Sequence, residues 1–260
     1  QQENEIASQQ NKPTAHECNN GGSSPSPKPQ RILMSQSYDA VIDAWARSKD
    51  ENGGERAEAI FDEMLERHRA DPINDSEMKP TTRSVNKVLL AWARSKNSAD
   101  AGHRAEAFLN RVNALRSDGM LDLIPNSISY TTLIEAWANA ICDPKLACEK
   151  VDTIMAYLES TYESGFIHAS FDIAPSVIAY TSLLKVWARS KDVGAACRRA
   201  DEVLDKLQLL SRNGGKIFEP DKKLYDATIR IWKRNQSAYA TKRVAELKEQ
   251  KLILRSSTVI

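Results

Sequence analysis

The stretch Ala44-Trp45-Ala46-Arg47-Ser48-Lys49 returns almost unchanged as Ala91-Trp92-Ala93-Arg94-Ser95-Lys96, and in part as Trp187-Ala188-Arg189-Ser190-Lys191. All five tryptophans of the chain belong to this series. Trp45, Trp92, Trp137, Trp187 and Trp232 are spaced 47, 45, 50 and 45 residues apart. Self-similarity at a period of a few tens of residues marks a repeat array, in which each unit packs on its neighbours.

Upstream of each tryptophan the apolar residues keep offsets of 0, 3, 4 and 7, which trace one face of an α-helix. The stripes are Tyr38, Val41, Ile42, Trp45; Val85, Val88, Leu89, Trp92; Tyr130, Leu133, Ile134, Trp137; Tyr180, Leu183, Leu184, Trp187; and Tyr225, Thr228, Ile229, Trp232. A second stripe begins 12 to 14 residues after each of the first four tryptophans. It reads Ala57, Ile60, Phe61, Met64, then Ala105, Phe108, Leu109, Val112, then Val151, Ile154, Met155, Leu158, and lastly Ala200, Val203, Leu204, Leu207. Each unit is therefore expected to be two amphipathic helices, A and B. In the fifth unit the second helix is expected from about Tyr239 to Lys251, with a thin apolar face.

Gly53-Gly54, Gly102 and Gly194 fall near the A–B turns, where a positive φ would be cheap for glycine. Pro80, Pro125, Pro175 and Pro220 each stand five residues before the next stripe, a place where a missing N–H does no harm. The tryptophans and tyrosines lie on the apolar stripes themselves, so they are expected to pack between helices rather than to bind ligand. The expected fold is all-α: an α-solenoid of about five stacked helix-turn-helix repeats over 33–252. The units run about 35–81, 82–126, 127–176, 177–221 and 222–252. Residues 1–32 are rich in Gln, Asn, Ser, Gly and Pro and read as a disordered polar linker, and 253–260 as a C-terminal tail.

Lysine and arginine (36) nearly balance aspartate and glutamate (35), so net charge neither demands nor excludes a polyanionic partner. Cys18, Cys142, Cys148 and Cys197 have no spacing that suggests zinc or a disulfide framework. His16, next to Cys18 in the linker, and His68, His103 and His168 occupy no matching positions. No glycine-rich phosphate loop follows a strand, and the carboxylates Glu55, Glu58, Asp62 and Glu63 read as solvated helix faces. No catalysis, cofactor, metal or small-molecule substrate is expected of this segment. No apolar run approaches the roughly 18 residues of a membrane span. The chain begins at Gln1 and is expected to be an internal piece of a longer one, so no targeting segment is visible.

Period alone would also suit HEAT or armadillo repeats, at roughly 40–47 residues. The residues argue for another family. Pro125-Asn126 followed by Ser127-Ile128-Ser129-Tyr130-Thr131-Thr132-Leu133-Ile134-Glu135-Ala136-Trp137 resembles a pentatricopeptide repeat. So do the stretches from Pro175 to Leu184 and from Gln36 to Trp45, and Arg56-Ala57-Glu58-Ala59-Ile60-Phe61-Asp62-Glu63-Met64 is similar to that family's second helix. The resemblance runs from residue 35 to about 250, with longer loops between helix pairs than the family's usual repeat.

The resemblance implies single-stranded RNA as partner, read one base per repeat. In that family the residue after the first-helix aromatic and the residue after the closing proline do most of the reading. Here these are Asp39, Asn86, Thr131, Thr181 and Asp226, with Thr81, Asn126, Ser176 and Asp221. All carry hydrogen-bonding groups suited to a base edge; the other reading of the post-proline set is that polar residues favour helix N-termini. By the family's rule Thr181 with Asp221 favours guanine and Asn86 with Asn126 a pyrimidine, cytosine. Thr131 with Ser176 suggests a purine. Asp39 with Thr81 has no decoded pairing, and Asp226 lacks a partner. Gln36, Arg83, Ile128, Ile178 and Lys223, three residues before each reading position, would sandwich the bases. Two residues after the tryptophans stand Arg47, Arg94, Asn139, Arg189 and Arg234. The four arginines are candidate phosphate contacts reinforced by Lys49, Lys96 and Lys191, or else complements to the helix macrodipole. The family implies organellar RNA processing, stability or translation, in mitochondrion or plastid. The alternative is a protein-binding scaffold of tetratricopeptide type, and other protein subunits are compatible with either.

Overall fold

In the computed structural model the described residues are 35–70, 79–96, 99–119, 121, 123–164, 173–213 and 216–256. The readings made for 1–32, including His16 and Cys18, and for His168 lie outside them. Ten α-helices and no strands are found among the described residues. They are α1 (Ser35–Ser48), α2 (Gly53–Ala70), α3 (Thr82–Arg94), α4 (Ala101–Ser117), α5 (Ser127–Asn139), α6 (Pro144–Glu163), α7 (Val177–Trp187), α8 (Val193–Arg212), α9 (Lys222–Trp232) and α10 (Ala238–Ser256). A 3-10 turn, Lys216–Phe218, interrupts the connection before α9. The last helix runs to residue 256, four beyond the expected end of the fifth unit.

The odd-numbered helices carry the first stripes and the even-numbered helices the second. Each odd helix packs on the next odd helix, and every helix packs on its successor in the chain. The even helices approach one another less closely and meet mainly through long side chains, such as Arg111 of α4 on Glu58 and Asp62 of α2. One main core runs along the array, with Tyr38 and Met64 in a smaller cluster beside Ile60, which is how short amphipathic helices bury stripes they cannot bury alone.

Nearly every stripe residue is buried. Trp137, Tyr180, Phe61 and Phe108 are among the largest fully buried side chains, and Phe61 meets Phe108 edge-on at 5.2 Å. Val41 of α1 is exposed and Trp45 half-buried, because no described helix covers the outer side of α1; Ile60, Tyr130 and Trp187 are also half-buried. Thr228 fits the core of the fifth unit by donating its hydroxyl to the Leu224 carbonyl at 3.0 Å.

The glycines have a different use from the one expected. Gly54 and Gly102 lie in the first turns of α2 and α4, and Gly119 is the one described glycine with positive φ. A Cβ on Gly54 would fall 2.3 Å from the ring of Trp92, and one on Gly102 would fall 2.6 Å from the ring of Trp137. These glycines let the tryptophan of the following repeat lie against the backbone. The A–B turn of the first unit instead places Lys49 at φ 55°.

Candidate nucleic-acid interface

The post-proline residues start the odd helices. Thr81, Asn126, Ser176 and Asp221 are the N-caps of α3, α5, α7 and α9, each with extended backbone and a side-chain oxygen accepting an N–H three residues on. Thr81 and Asn126 complete reciprocal capping boxes with Ser84 and Ser129. The N-terminal reading of these residues thus holds for all four. Capping uses one oxygen, however, and leaves other donors and acceptors for a ligand.

At two joints the cap residue of one odd helix touches the candidate reading residue of the preceding one. Asn86 Nδ2 donates to Asn126 Oδ1 at 3.3 Å, and Thr131 Oγ1 lies 3.5 Å from Ser176 Oγ. Ser129 Oγ also donates to Asn86 Oδ1 at 2.6 Å. Thr181 and Asp221 are each satisfied locally, by the Val177 carbonyl and the Leu224 N–H. Asp39 is buried and faces Lys87 of α3. Asp226 is paired with Lys251 of α10, and Thr81 is exposed.

Three residues before these positions, Gln36, Arg83, Ile128, Ile178 and Lys223 are all exposed. Ile128 is 59% and Ile178 60% accessible. Exposed isoleucines at matching places on successive odd helices leave apolar surface that no described residue covers. The spacing of three puts each on the same helix face as its polar partner, Thr131 or Thr181.

The residues two after the tryptophans divide by role. Arg189 Nη1 donates to the Ala138 carbonyl at 2.9 Å, and its Nη2 donates to Ala140 at 2.9 Å. Arg234 donates to the carbonyls of Ala188 and Ser190, at 2.7 and 2.6 Å. Asn139 donates to Ala93 at 2.9 Å. Each therefore closes the C-terminus of the preceding odd helix, where unpaired carbonyls and the negative dipole end favour a cation. For Arg189 and Arg234 the macrodipole reading applies across the repeat joint, whereas Arg47 and Arg94 lie in the last turn of their own helices. Arg47 instead pairs with Asp43, which draws the Asp43 carboxyl below its usual range, and Arg94 is exposed. Lys49, Lys96 and Lys191 are exposed at the same end of the odd helices. Replacing Arg189 with alanine should cost about 1–3 kcal/mol in urea unfolding, since partly buried carbonyls lose a charged donor. Lysine, which lacks the fork, should recover only part.

Of the carboxylates read as solvated faces, Glu55 is exposed, while Glu58, Asp62 and Glu63 also make contacts between helices. Glu58 accepts the Trp92 indole N–H at 3.0 Å and Arg111 at 2.9 Å, and Asp62 accepts Arg111 at 2.7 Å. Glu63 accepts the Tyr38 hydroxyl at 3.2 Å. The same joint recurs where Asp152 accepts Trp187 and Arg199, and where Asp201 accepts Trp232 and Arg243. Desolvation by burial raises the pKa of Glu58 and of Asp152 despite these partners. The signal was available in the sequence: Glu58, Glu106, Asp152 and Asp201 all stand one residue after the first position of the second stripe. In the second joint Lys150 takes Glu106 at 2.9 Å, and the buried Trp137 indole N–H has no acceptor.

Cys148 and Cys197 take the position of Gly54 and Gly102 in the next two units, and Trp232 beside Cys197 is still buried. Trp187 is half-buried and borders a cavity of about 560 Å³ with Asp143, Cys148 and Asp192. Burial pushes the Cys148 thiol up to about 11. Among the described residues no group of three or more His, Cys, Asp or Glu is placed to hold a metal ion. No helix among them is long and apolar enough to cross a membrane. The chain matches no family model and no curated protein sequence.

Proposed function

We propose that the helix pairs form a pentatricopeptide-like α-solenoid that binds single-stranded RNA, with the odd helices lining its inner surface. The observation that carries this reading is the meeting of polar pairs across successive joints beside exposed isoleucines. Asn86 reaches Asn126 and Thr131 reaches Ser176, while Ile128 and Ile178 stand uncovered next to them. A base has a hydrogen-bonding edge and two apolar faces, and this surface offers a match for both. Exposed Arg94, Lys49, Lys96 and Lys191 supply positive charge for phosphates. Arg189 and Arg234 are committed to helix ends, which leaves phosphate binding to that smaller set. By its resemblance the chain acts in organellar RNA processing, stability or translation, and this segment performs no chemistry of its own.

The test is a change of base preference. In an RNA carrying C-A-G against Asn86, Thr131 and Thr181, Thr181→Asn should move preference at the third base from guanine towards uracil. The shift should be about fivefold or more in relative affinity, the effect of one hydrogen-bonded base edge. Thr181 is buried and its hydroxyl bonds its own helix, so circular dichroism checks that the asparagine variant folds. Equal weakening on all four bases would mean that the residue does not read.

A further inference from the structure

Resting on that RNA-binding reading, we propose that the array reads three consecutive bases rather than five, because lysines of this chain occupy the first and fifth reading sites. At the first site Lys87 Nζ donates to the Asp39 carbonyl at 2.8 Å and lies 3.8 Å from Asp39 Oδ2. Both side chains are largely buried, at 22% and 10% accessibility. At the fifth site Lys251 pairs with Asp226. The three sites between show no lysine contact among the described residues: an amide meets an amide, a hydroxyl meets a hydroxyl, and Thr181 and the Asp221 carboxylate each bond their own helix.

The distinction is one of charge. A base is neutral and offers dipoles. It can share or replace an amide or hydroxyl contact at little cost, because Asn and Ser keep unused donors and acceptors. At the first site it cannot replace the Lys87 ammonium without leaving the buried Asp39 carboxylate uncompensated; at the fifth, where Asp226 is 51% exposed, the obstacle is the Lys251 ammonium seated on it. The sequence pattern agrees. The residue that follows the reading position is Lys87 in the second unit, but Ala40, Thr132, Ser182 and Ala227 in the others. Only the joint between α1 and α3 has a side chain at this register long enough to cross to the preceding helix. Asn86, Thr131 and Thr181 then define the footprint, with Asn126, Ser176 and Asp221 as their partners.

Fluorescence anisotropy of the full chain with labelled RNAs decides this. Each RNA carries C-A-G in a uridine-rich strand, with all four bases tested in turn at each core position and at both flanks. Core substitutions should weaken binding about fivefold or more, and flank substitutions less than about twofold. In the double variant Asp39→Asn with Lys87→Met the charge pair is gone and the first site resembles the second. Selection of about fivefold should then appear at the base 5′ of the core. The double variant keeps the lysine stem's apolar volume, and its circular dichroism should match that of the parent. Selection by the parent protein at the flanks as strong as at the core would overturn the three-base footprint and leave RNA reading intact. A folded double variant that gains no selection would overturn the role of Lys87. Failure of the parent to bind any single strand would overturn the RNA reading and this inference together.

Discussion

Gly54→Val should be among the most destabilising single substitutions in the chain, by about 2–4 kcal/mol in chemical denaturation. A Cβ at residue 54 would meet the Trp92 ring atoms Cδ2 and Cε3 at 2.3 Å, far inside van der Waals contact. The ring cannot simply retreat. It is held by its indole N–H on Glu58 and is only 6% exposed. Two effects compete. Replacing glycine in a helix gains up to about 1 kcal/mol of helix propensity. Forcing a tryptophan from its seat costs more, because removing such a ring from a core costs about 3–5 kcal/mol. Gly102→Val should behave alike through Trp137. Gly194→Ala provides the contrast, since its nearest neighbours would lie at 3.5 and 3.6 Å, and it should be neutral or slightly stabilising. Trp92 should also become more exposed in Gly54→Val, with a red-shifted emission. Unchanged stability in Gly54→Val would mean that the tight seat at this joint is not what holds the first two units together.

Asp201→Ala should cost about 2–3 kcal/mol, the second large effect. Its carboxylate accepts the Trp232 indole at 3.1 Å and the Arg243 guanidinium at 3.2 and 3.0 Å. Removal leaves a buried N–H without an acceptor and a mostly buried arginine with only Glu246. Asp201 is itself about a quarter exposed, so solvent softens the loss. The exposed pair Arg67–Glu63, at 47% and 48% accessibility, should by contrast yield about 0–0.5 kcal/mol when Arg67 is replaced. Nuclear magnetic resonance separates the cases. The Trp232 indole proton should move upfield in Asp201→Ala, towards the position of the unpartnered Trp137. No movement would show that Asp201 does not bond that indole in solution.

The parts of the structure that were legible in the sequence share one physical origin. Stripes such as Val85, Val88, Leu89, Trp92 could be read because a 3.6-residue period is imposed by burial along a single helix. The N-caps at Thr81, Asn126, Ser176 and Asp221 were readable as an alternative because capping is also local. What escaped reading depends on geometry across a joint. Arg189 looks like the last-turn arginine of its own helix, yet it closes the end of α5. Gly54 looks like a turn glycine, and only the position of Trp92 shows that it serves close approach. Glu58 looks like one solvated carboxylate among several until the indole and Arg111 of later units reach it. Lys87 differs from its small counterparts in the sequence, but its reach to Asp39 needs α1 and α3 side by side. The candidate base-reading residues came from family resemblance. What the structure adds is that two of the pairs touch, and that the flanking isoleucines are bare.

The odd-helix surface is proposed to bind single-stranded RNA through the joints at Asn86, Thr131 and Thr181. The most direct measurement is the affinity of the full chain for an RNA carrying C-A-G and for a scrambled control, titrated across salt concentrations. The account predicts tighter binding to the C-A-G strand. Affinity should fall with salt at a logarithmic slope of about −0.7 per neutralised phosphate, so about −2 to −3 for the exposed cations named above. Absence of binding to any single strand at low salt would contradict the account, and the same helical surface would then be better explained as a scaffold for a protein partner.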